Sequence, residues 1–178
     1  MCGRIAITLP PEPIRAFFAY AEQPNFPPRY NIAPTQPVPV VRMERAPGSE
    51  RRQRHFVLMR WGFLPGFVKD PKDFPLVINA RSETVSEKPS FRNALKRQKK
   101  GKSEPFLFRR KDGAPLALAG LWETWEGPNG EAVDTACVVT THANGLMAAV
   151  HDRMPVILER DDFDTWLDCD GHDVDEAA

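Results

Sequence analysis

The stretch Pro115-Leu-Ala-Leu-Ala-Gly-Leu-Trp122-Glu-Thr-Trp125-Glu-Gly-Pro-Asn-Gly130-Glu-Ala-Val133-Asp-Thr-Ala-Cys137-Val-Val-Thr-Thr141 decides the fold. Apolar, aromatic and β-branched runs flank a Gly-Pro-Asn-Gly break, as in strands joined by a turn. The spacing predicts strands over 115–121 and 133–141, with a turn over 126–131. Upstream, Lys111-Asp112-Gly113 forms a second turn, with a strand predicted over 105–109 before it. Downstream, residues 143–149 read as a short helix, 151–158 as a strand, and 161–167 as a terminal helix packed by Phe163, Trp166 and Leu167.

Towards the amino terminus, residues 3–8 read as a strand, and 11–21 as a helix with Ile14, Phe17 and Phe18 on one side. Its leading prolines suit a first turn. Residues 23–39 are extended and proline-rich. Val38–Met43 and Phe56–Trp61 read as strands around a polar tip. Residues 90–99 read as a basic helix. Six or more short strands with hairpin turns and peripheral helices predict an α+β domain around a curled, mainly antiparallel sheet or barrel. The domain is expected over residues 1–168, with 169–178 an acidic, unstructured tail.

The 178 residues suffice for one sizeable core. No apolar run is long enough to cross a bilayer, and Pro10, Pro11 and Pro13 interrupt any signal-peptide pattern. A cytoplasmic protein is expected. Cys2, Cys137 and Cys169 are an odd set without metal-type spacing, which argues against a disulfide scaffold. No G-x-G-x-x-G, Walker loop or zinc pattern occurs, so neither cofactor nor metal is expected. The formal net charge of 0 conceals segregation: residues 1–111 carry a net +13 and residues 112–178 a net −13. The basic part makes a polyanion partner plausible, although the two parts are free to interleave in the fold.

Cys2 follows Met1 directly. Removal of Met1 leaves an α-amine and a thiol on adjacent carbons, titrating near ~8 and ~8.5. Such a 1,2-aminothiol condenses with an aldehyde to an imine and then closes to a thiazolidine. Asn79 and Arg81, clustered with Glu83 after apolar Val77 and Ile78, supply an amide and a phosphate-matching fork; a helix-start turn capped by Ser82 explains the same residues equally well. His151 precedes an apolar strand and is a candidate proton carrier. Trp61, beside Gly62, is either packed inward or a stacking platform.

Six motifs occur in order: Met-Cys-Gly-Arg at 1–4, Tyr-Asn-Ile-Ala-Pro-Thr-Gln at 30–36, Trp-Gly-Phe-Leu-Pro at 61–65, Asn-Ala-Arg-Ser-Glu at 79–83, Ala-Gly-Leu-Trp-Glu at 119–123 and His-Asp-Arg-Met-Pro-Val-Ile-Leu at 151–158. Together they resemble the SOS-response-associated peptidase (SRAP) family over nearly the whole chain. The resemblance implies capture of abasic sites in single-stranded DNA, or at its junction with duplex, by a monomer that associates with the nucleoid during DNA damage. It implies Cys2 as the crosslinking residue, Asn79 orienting the sugar or the amine, and His151 moving protons. It further implies Arg4 and Arg81 on phosphates, Asn31 and Pro34 lining the groove, and Trp61 against a base. Lyase activity and peptidase removal of the residue before Cys2 come with it.

One family segment, resembling Arg-Cys-x-x-Pro-Ala-x-Gly-Phe-Tyr-Glu-Trp and carrying the catalytic Glu, has no counterpart between Phe91 and Phe106. Glu104 and Glu123 are the carboxylates nearest in sequence, and neither matches it. A degenerate member, a different local fold and a lost segment all fit the gap. Two other functions stand beside abasic-site crosslinking: a non-catalytic DNA-binding module and an amino-terminal-Cys hydrolase or peptidase.

Overall fold

The computed structural model describes residues 3–45, 48, 51–85 and 107–168. In chain order these form β1 (Ile5–Ile7), α1 (Pro11–Phe18), β2 (Arg29–Ile32), β3 (Pro37–Arg45), β4 (Arg52–Trp61), β5 (Asn79–Arg81) and α2 (Ser82–Val85). Then come β6 (Ala117–Leu118), β7 (Gly120–Glu126), β8 (Ala132–His142), β9 (Arg153–Pro155), β10 (Ile157–Leu158) and α3 (Phe163–Leu167). Short 3-10 turns occupy Met147–Ala149 and Arg160–Asp162.

β8 is the axis. Its residues from Thr135 to Thr140 are all buried, as expected of an apolar strand covered on both faces. Each of its edges serves two strands placed end to end. One edge pairs in parallel with β4, at Arg60↔Thr135 and Trp61↔Ala136, and then with β5, at Asn79↔Val138 through Arg81↔Thr140. The other pairs antiparallel with β7, from Gly120↔Val138 to Glu126↔Ala132, and then with β9, at Thr140↔Pro155 through His142↔Arg153. β3 completes the sheet as the hairpin partner of β4.

The curled, mainly antiparallel sheet or barrel expected from the sequence does not form. The main sheet is six-stranded, open and mixed, ordered β3-β4-β8-β5 with β7 and β9 also on β8; β1-β2 and β6-β10 are separate two-stranded sheets. Turn chemistry reveals hairpins, whereas parallel neighbours are joined by long crossovers that leave no local signature. The α+β class stands. Leu107–Arg110 form no strand, the expected helix over 143–149 shrinks to one 3-10 turn, and Val156 breaks the 151–158 strand. The expected basic helix over 90–99 and the tail over 169–178 lie outside the described residues.

Three apolar clusters fix the layers. Ile32, Val38 and Trp61 pack with Ile5, Ile7, Val40 and Ile78, which seats the small β1-β2 sheet on the β4-β5 region. Phe63, Val77, Ala80 and Cys137 form a second cluster, and Leu64, Val68 and Trp125 a third. At the far end, Phe17 and Phe18 of α1 contact Phe163 of α3, at 5.7 and 5.4 Å between ring centroids.

Gly62 turns the chain out of β4 at φ 143°. A Cβ there would lie 2.6 Å from Leu76 Cδ1 and 2.8 Å from Arg60 Nη1. Both are side-chain tips, so the steric part is relievable, but Arg60 Nη1 donates to the Gly62 carbonyl at 2.6 Å and would lose that position. With the disfavoured φ added, Gly62→Ala is expected to cost about 1–3 kcal/mol. Urea unfolding of the variant measures this through the midpoint at unchanged slope.

Among the described residues, part of the charge segregation is consumed within the fold. Arg42 pairs with Asp134 (3.4 Å), Arg52 with Asp168 (2.5 Å), Arg54 with Asp164 (2.6 Å) and Arg110 with Glu159 (2.8 Å). Each joins the basic part of the chain to the acidic part. Such surface pairs contribute only about 0–1 kcal/mol each, but they lower the charge available to an outside polyanion.

Candidate functional site

The site is built where β5 and β8 end and β9 begins. Asn79 and Arg81 alternate with Ala80 along β5 and so share one face of the strand. Asn79 is buried and Arg81 is exposed at the rim. Ala80 is fully enclosed, and its carbonyl accepts from the Thr140 hydroxyl at 2.9 Å. That bond fixes β5 against β8 beside the residues in question.

His151 enters from the other edge of β8, two residues before β9 begins. Its backbone N–H shares the Met147 carbonyl (2.9 Å) with the Val150 N–H that closes the 3-10 turn, and its ring is partly exposed. The ring Nδ1 accepts from the backbone N–H of Arg153 at 2.9 Å. Asp152 Oδ1 stands 2.6 Å from the same nitrogen. A ring nitrogen either accepts or donates, so these two contacts belong to different protonation states.

Arg153 is buried and ties both motifs together. Nη1 and Nη2 donate to Glu83 Oε1 and Oε2 at 3.0 and 2.8 Å, and Nη2 also donates to the Thr140 carbonyl at 2.5 Å. The fork geometry of guanidinium suits this bidentate pairing. Arg153 holds the Glu83 carboxyl below its ordinary value, outweighing the opposing effect of burial. Exposed His142 places Nδ1 3.0 Å from Glu83 Oε1. Thus Glu83 of the 79–83 motif and Arg153 of the 151–158 motif form one unit. The sequence reading noted Glu83 without assigning it a role and passed over Arg153. A charged residue inside an apolar strand motif was the available signal, since a buried cation requires a partner.

The remaining residues singled out from sequence fall in different places. Arg4 Nη1 donates to Asn31 Oδ1 at 2.8 Å, fastening the amino-terminal strand to β2. Pro34 lies in the turn after β2, where Thr35 adopts φ 72°, a conformation disfavoured for a β-branched residue. That turn is clasped to β4: the Thr35 N–H donates to the Trp61 carbonyl at 2.7 Å, and the Trp61 N–H to the Gln36 carbonyl at 3.0 Å. Trp61, expected against a base, is instead 1% exposed, with its indole N–H donating to the Ile78 carbonyl at 3.0 Å. It is a core residue and offers no stacking face. Glu123 is occupied structurally, its Oε1 accepting from the Gly66 N–H at 2.9 Å. Its position opposite Thr135 lies farther back along β8 than Val138, the partner of Asn79. Cys2 and Glu104 lie outside the described residues. Among those described, no group of three His, Cys, Asp or Glu could hold a metal ion, and burial pushes the Cys137 thiol up to about 12, leaving it unreactive.

Comparison with known proteins places the whole chain in a family. The family model described as SOS response associated peptidase (SRAP) matches residues 1–178. The chain is 34% identical to the abasic site processing protein YoqW of Bacillus subtilis, covering 98% of this chain and 84% of that protein. It is 28% identical to the abasic site processing protein YedK of Escherichia coli, covering 100% and 85% respectively. A crystal structure of a protein from Bordetella bronchiseptica superposes with a TM-score of 0.74 at 25% identity, covering 99% of this chain and 91% of that one. Another, from Bacteroides thetaiotaomicron, shares the fold with a TM-score of 0.72 at 20% identity, covering 99% and 85%. With the motifs at 79–83 and 151–158 joined across β8 and the family model matched end to end, the chain belongs to the SOS response associated peptidase (SRAP) family.

Proposed function

We propose that this protein processes abasic sites in single-stranded DNA, or at its junction with duplex, by crosslinking them to Cys2 after Met1 is removed. The observation that carries the reading is the packing of Ile5 in one cluster with Ile78. Three residues after Cys2, the chain packs on the same buried Ile32, Val38 and Trp61 as Ile78, the residue that precedes Asn79. The other end of the same site holds His151.

The chemistry is a condensation. The Cys2 α-amine adds to the ring-opened sugar aldehyde, water leaves, and an imine forms. The thiol sulfur then adds to the imine carbon while its proton passes to nitrogen, closing the thiazolidine. One water is lost overall. In this reading His151 carries protons in ring opening and in reversal, Asn79 orients the amine or sugar, and Arg81 meets a phosphate. Arg4 and Asn31, joined to each other at 2.8 Å, and the Pro34 turn line the DNA groove in this reading. Trp61 acts from beneath, as packing.

Of the two carboxylates in the family motifs, Glu83 is held by Arg153 and Glu123 by the Gly66 N–H, so neither stands free to replace that of the absent family segment. Losing a general acid–base group typically costs ~10²–10⁴ in rate. Slow crosslinking is therefore expected rather than none, because the aminothiol resides wholly in Cys2. The same commitment of both carboxylates favours a second reading, a family member that binds DNA without catalysis.

Incubation with an abasic oligonucleotide, followed by a denaturing gel, separates the two. Wild type is expected to accumulate a covalent adduct over hours, and Cys2→Ala to give none while binding the same oligonucleotide. Binding without any Cys2-dependent adduct would establish the non-catalytic reading. Turnover of amide substrates without DNA affinity would establish a hydrolase.

A further inference from the structure

We propose that Glu83 is a positioning residue, acting through Arg153 to hold His151 as the tautomer that carries its proton on Nε2. The inference rests on the reading that His151 moves protons at this site, and it names what orients the ring.

The link is a chain of three contacts. Glu83 grips the Arg153 guanidinium with both oxygens, at 3.0 and 2.8 Å. Thr140 takes the same guanidinium through its carbonyl, at 2.5 Å. The anchored residue then presents its backbone N–H to His151 Nδ1 at 2.9 Å. An accepting Nδ1 leaves the proton of the neutral ring on Nε2, the nitrogen turned away from the 151–153 turn.

Asp152 is the rival. Its Oδ1 is 2.6 Å from Nδ1, a contact that stabilises a proton on that nitrogen and so the opposite tautomer. Asp152 is, however, 86% exposed, so its side chain has water on most sides and many rotamers open to it. The Arg153 N–H is fixed twice, by the β8-β9 pairing at His142↔Arg153 and by the guanidinium clasp. A fixed donor prevails over a mobile carboxylate while the clasp holds. Releasing Glu83 removes half of that clasp and lets the turn relax toward Asp152. Because α2 follows Arg81 directly, the clasp also sets the distance between the Asn79–Arg81 strand and His151.

Long-range proton–nitrogen correlation spectra of 15N-labelled protein read the tautomer without DNA. At a pH where the spectra show the ring neutral, wild-type His151 is expected to show one tautomer, protonated on Nε2. Glu83→Gln is expected to show a mixture, with crosslinking to abasic DNA about tenfold slower, as when an orienting partner of a functional histidine is lost. Glu83→Asp should restore both towards wild type. Arg153→Lys, which keeps the charge and loses the fork, serves if Glu83→Gln does not fold and should likewise give a mixture. A wild-type ring protonated on Nδ1 would overturn the proposal. So would a single unchanged tautomer in Glu83→Gln or, where that variant does not fold, in Arg153→Lys. Failure of wild type to crosslink would sink the abasic-site reading alone, because the spectra need no DNA.

Discussion

Trp61→Ala is expected to cost about 3–5 kcal/mol, the range for removing a large aromatic from a packed core. Trp61 is 1% exposed and sits among Ile32, Val38 and Ile78, and its backbone is clasped on both sides by the Thr35–Gln36 turn. Against a domain stability of about 5–15 kcal/mol, such a loss leaves a substantial unfolded fraction at physiological temperature. Trp61→Phe isolates the indole N–H. It keeps most of the ring and removes one of two donors to the Ile78 carbonyl, which still accepts from the Val138 N–H at 3.0 Å, for about 0.5–1.5 kcal/mol. Since the indole has no solvent-facing surface, folded Trp61→Phe should bind an abasic oligonucleotide as wild type does. Denaturant melts and a binding titration on the same sample check both statements. A folded Trp61→Phe that binds tenfold more weakly would mean that the indole meets a base after all.

Arg153→Ala is expected to destabilise by about 3 kcal/mol, near the low end for breaking a buried pair, because Glu83 opens partly to water and can rehydrate. Its loss removes donors from both Glu83 oxygens and from the enclosed Thr140 carbonyl. Arg153→Lys should recover less than half of this, since an ammonium cannot hold both oxygens of Glu83 and Thr140 together. The pH dependence has a definite sign. The folded value of Glu83 is lowered from an ordinary 4.5, so its contribution is full above that value and lost as pH falls through the folded one. The stability gap between wild type and Arg153→Ala should therefore shrink on acidification below pH 4.5. A gap that stays constant into strong acid would show that Arg153 stabilises by packing alone.

What was legible in the sequence was local. The hairpin β3-β4, the turn at 126–131 and helices α1 and α3 follow from alternation, turn residues and three-four spacing, all confined to short windows. β4 and β5 running parallel beside β8 could not be read that way, because nothing adjacent in sequence records which distant strand fills an edge. The break at Val156 was likewise hidden: its N–H donates back to Val139, and Ala119 donates to its own carbonyl, so a tertiary exchange of partners interrupts an apolar run. At the site, Asn79, Arg81 and His151 were marked by residue type and by the family resemblance of their motifs. The Arg153–Glu83 clasp that relates them was missed because the two partners lie in separate motifs. Trp61 shows the reverse difficulty, since an aromatic beside a glycine looks the same in sequence whether it faces water or the core.

The position of β8 also dictates an order of assembly. β3 and β4 can pair as soon as residue 61 is made, but β4 and β5 find their shared neighbour only when residues 132–142 have emerged. β7 depends on the same segment, and β9 waits longer still. During synthesis, therefore, most of the sheet's hydrogen bonds are deferred to the last third of the chain, and long-range closure of this kind slows folding. A ribosome-bound chain stopped before residue 132 should hold, among the described strands, the β3-β4 hairpin and the β1-β2 pair, with the edges that β8 fills still open. Synthesis of β8, and then of β9 and β10, converts them into a domain.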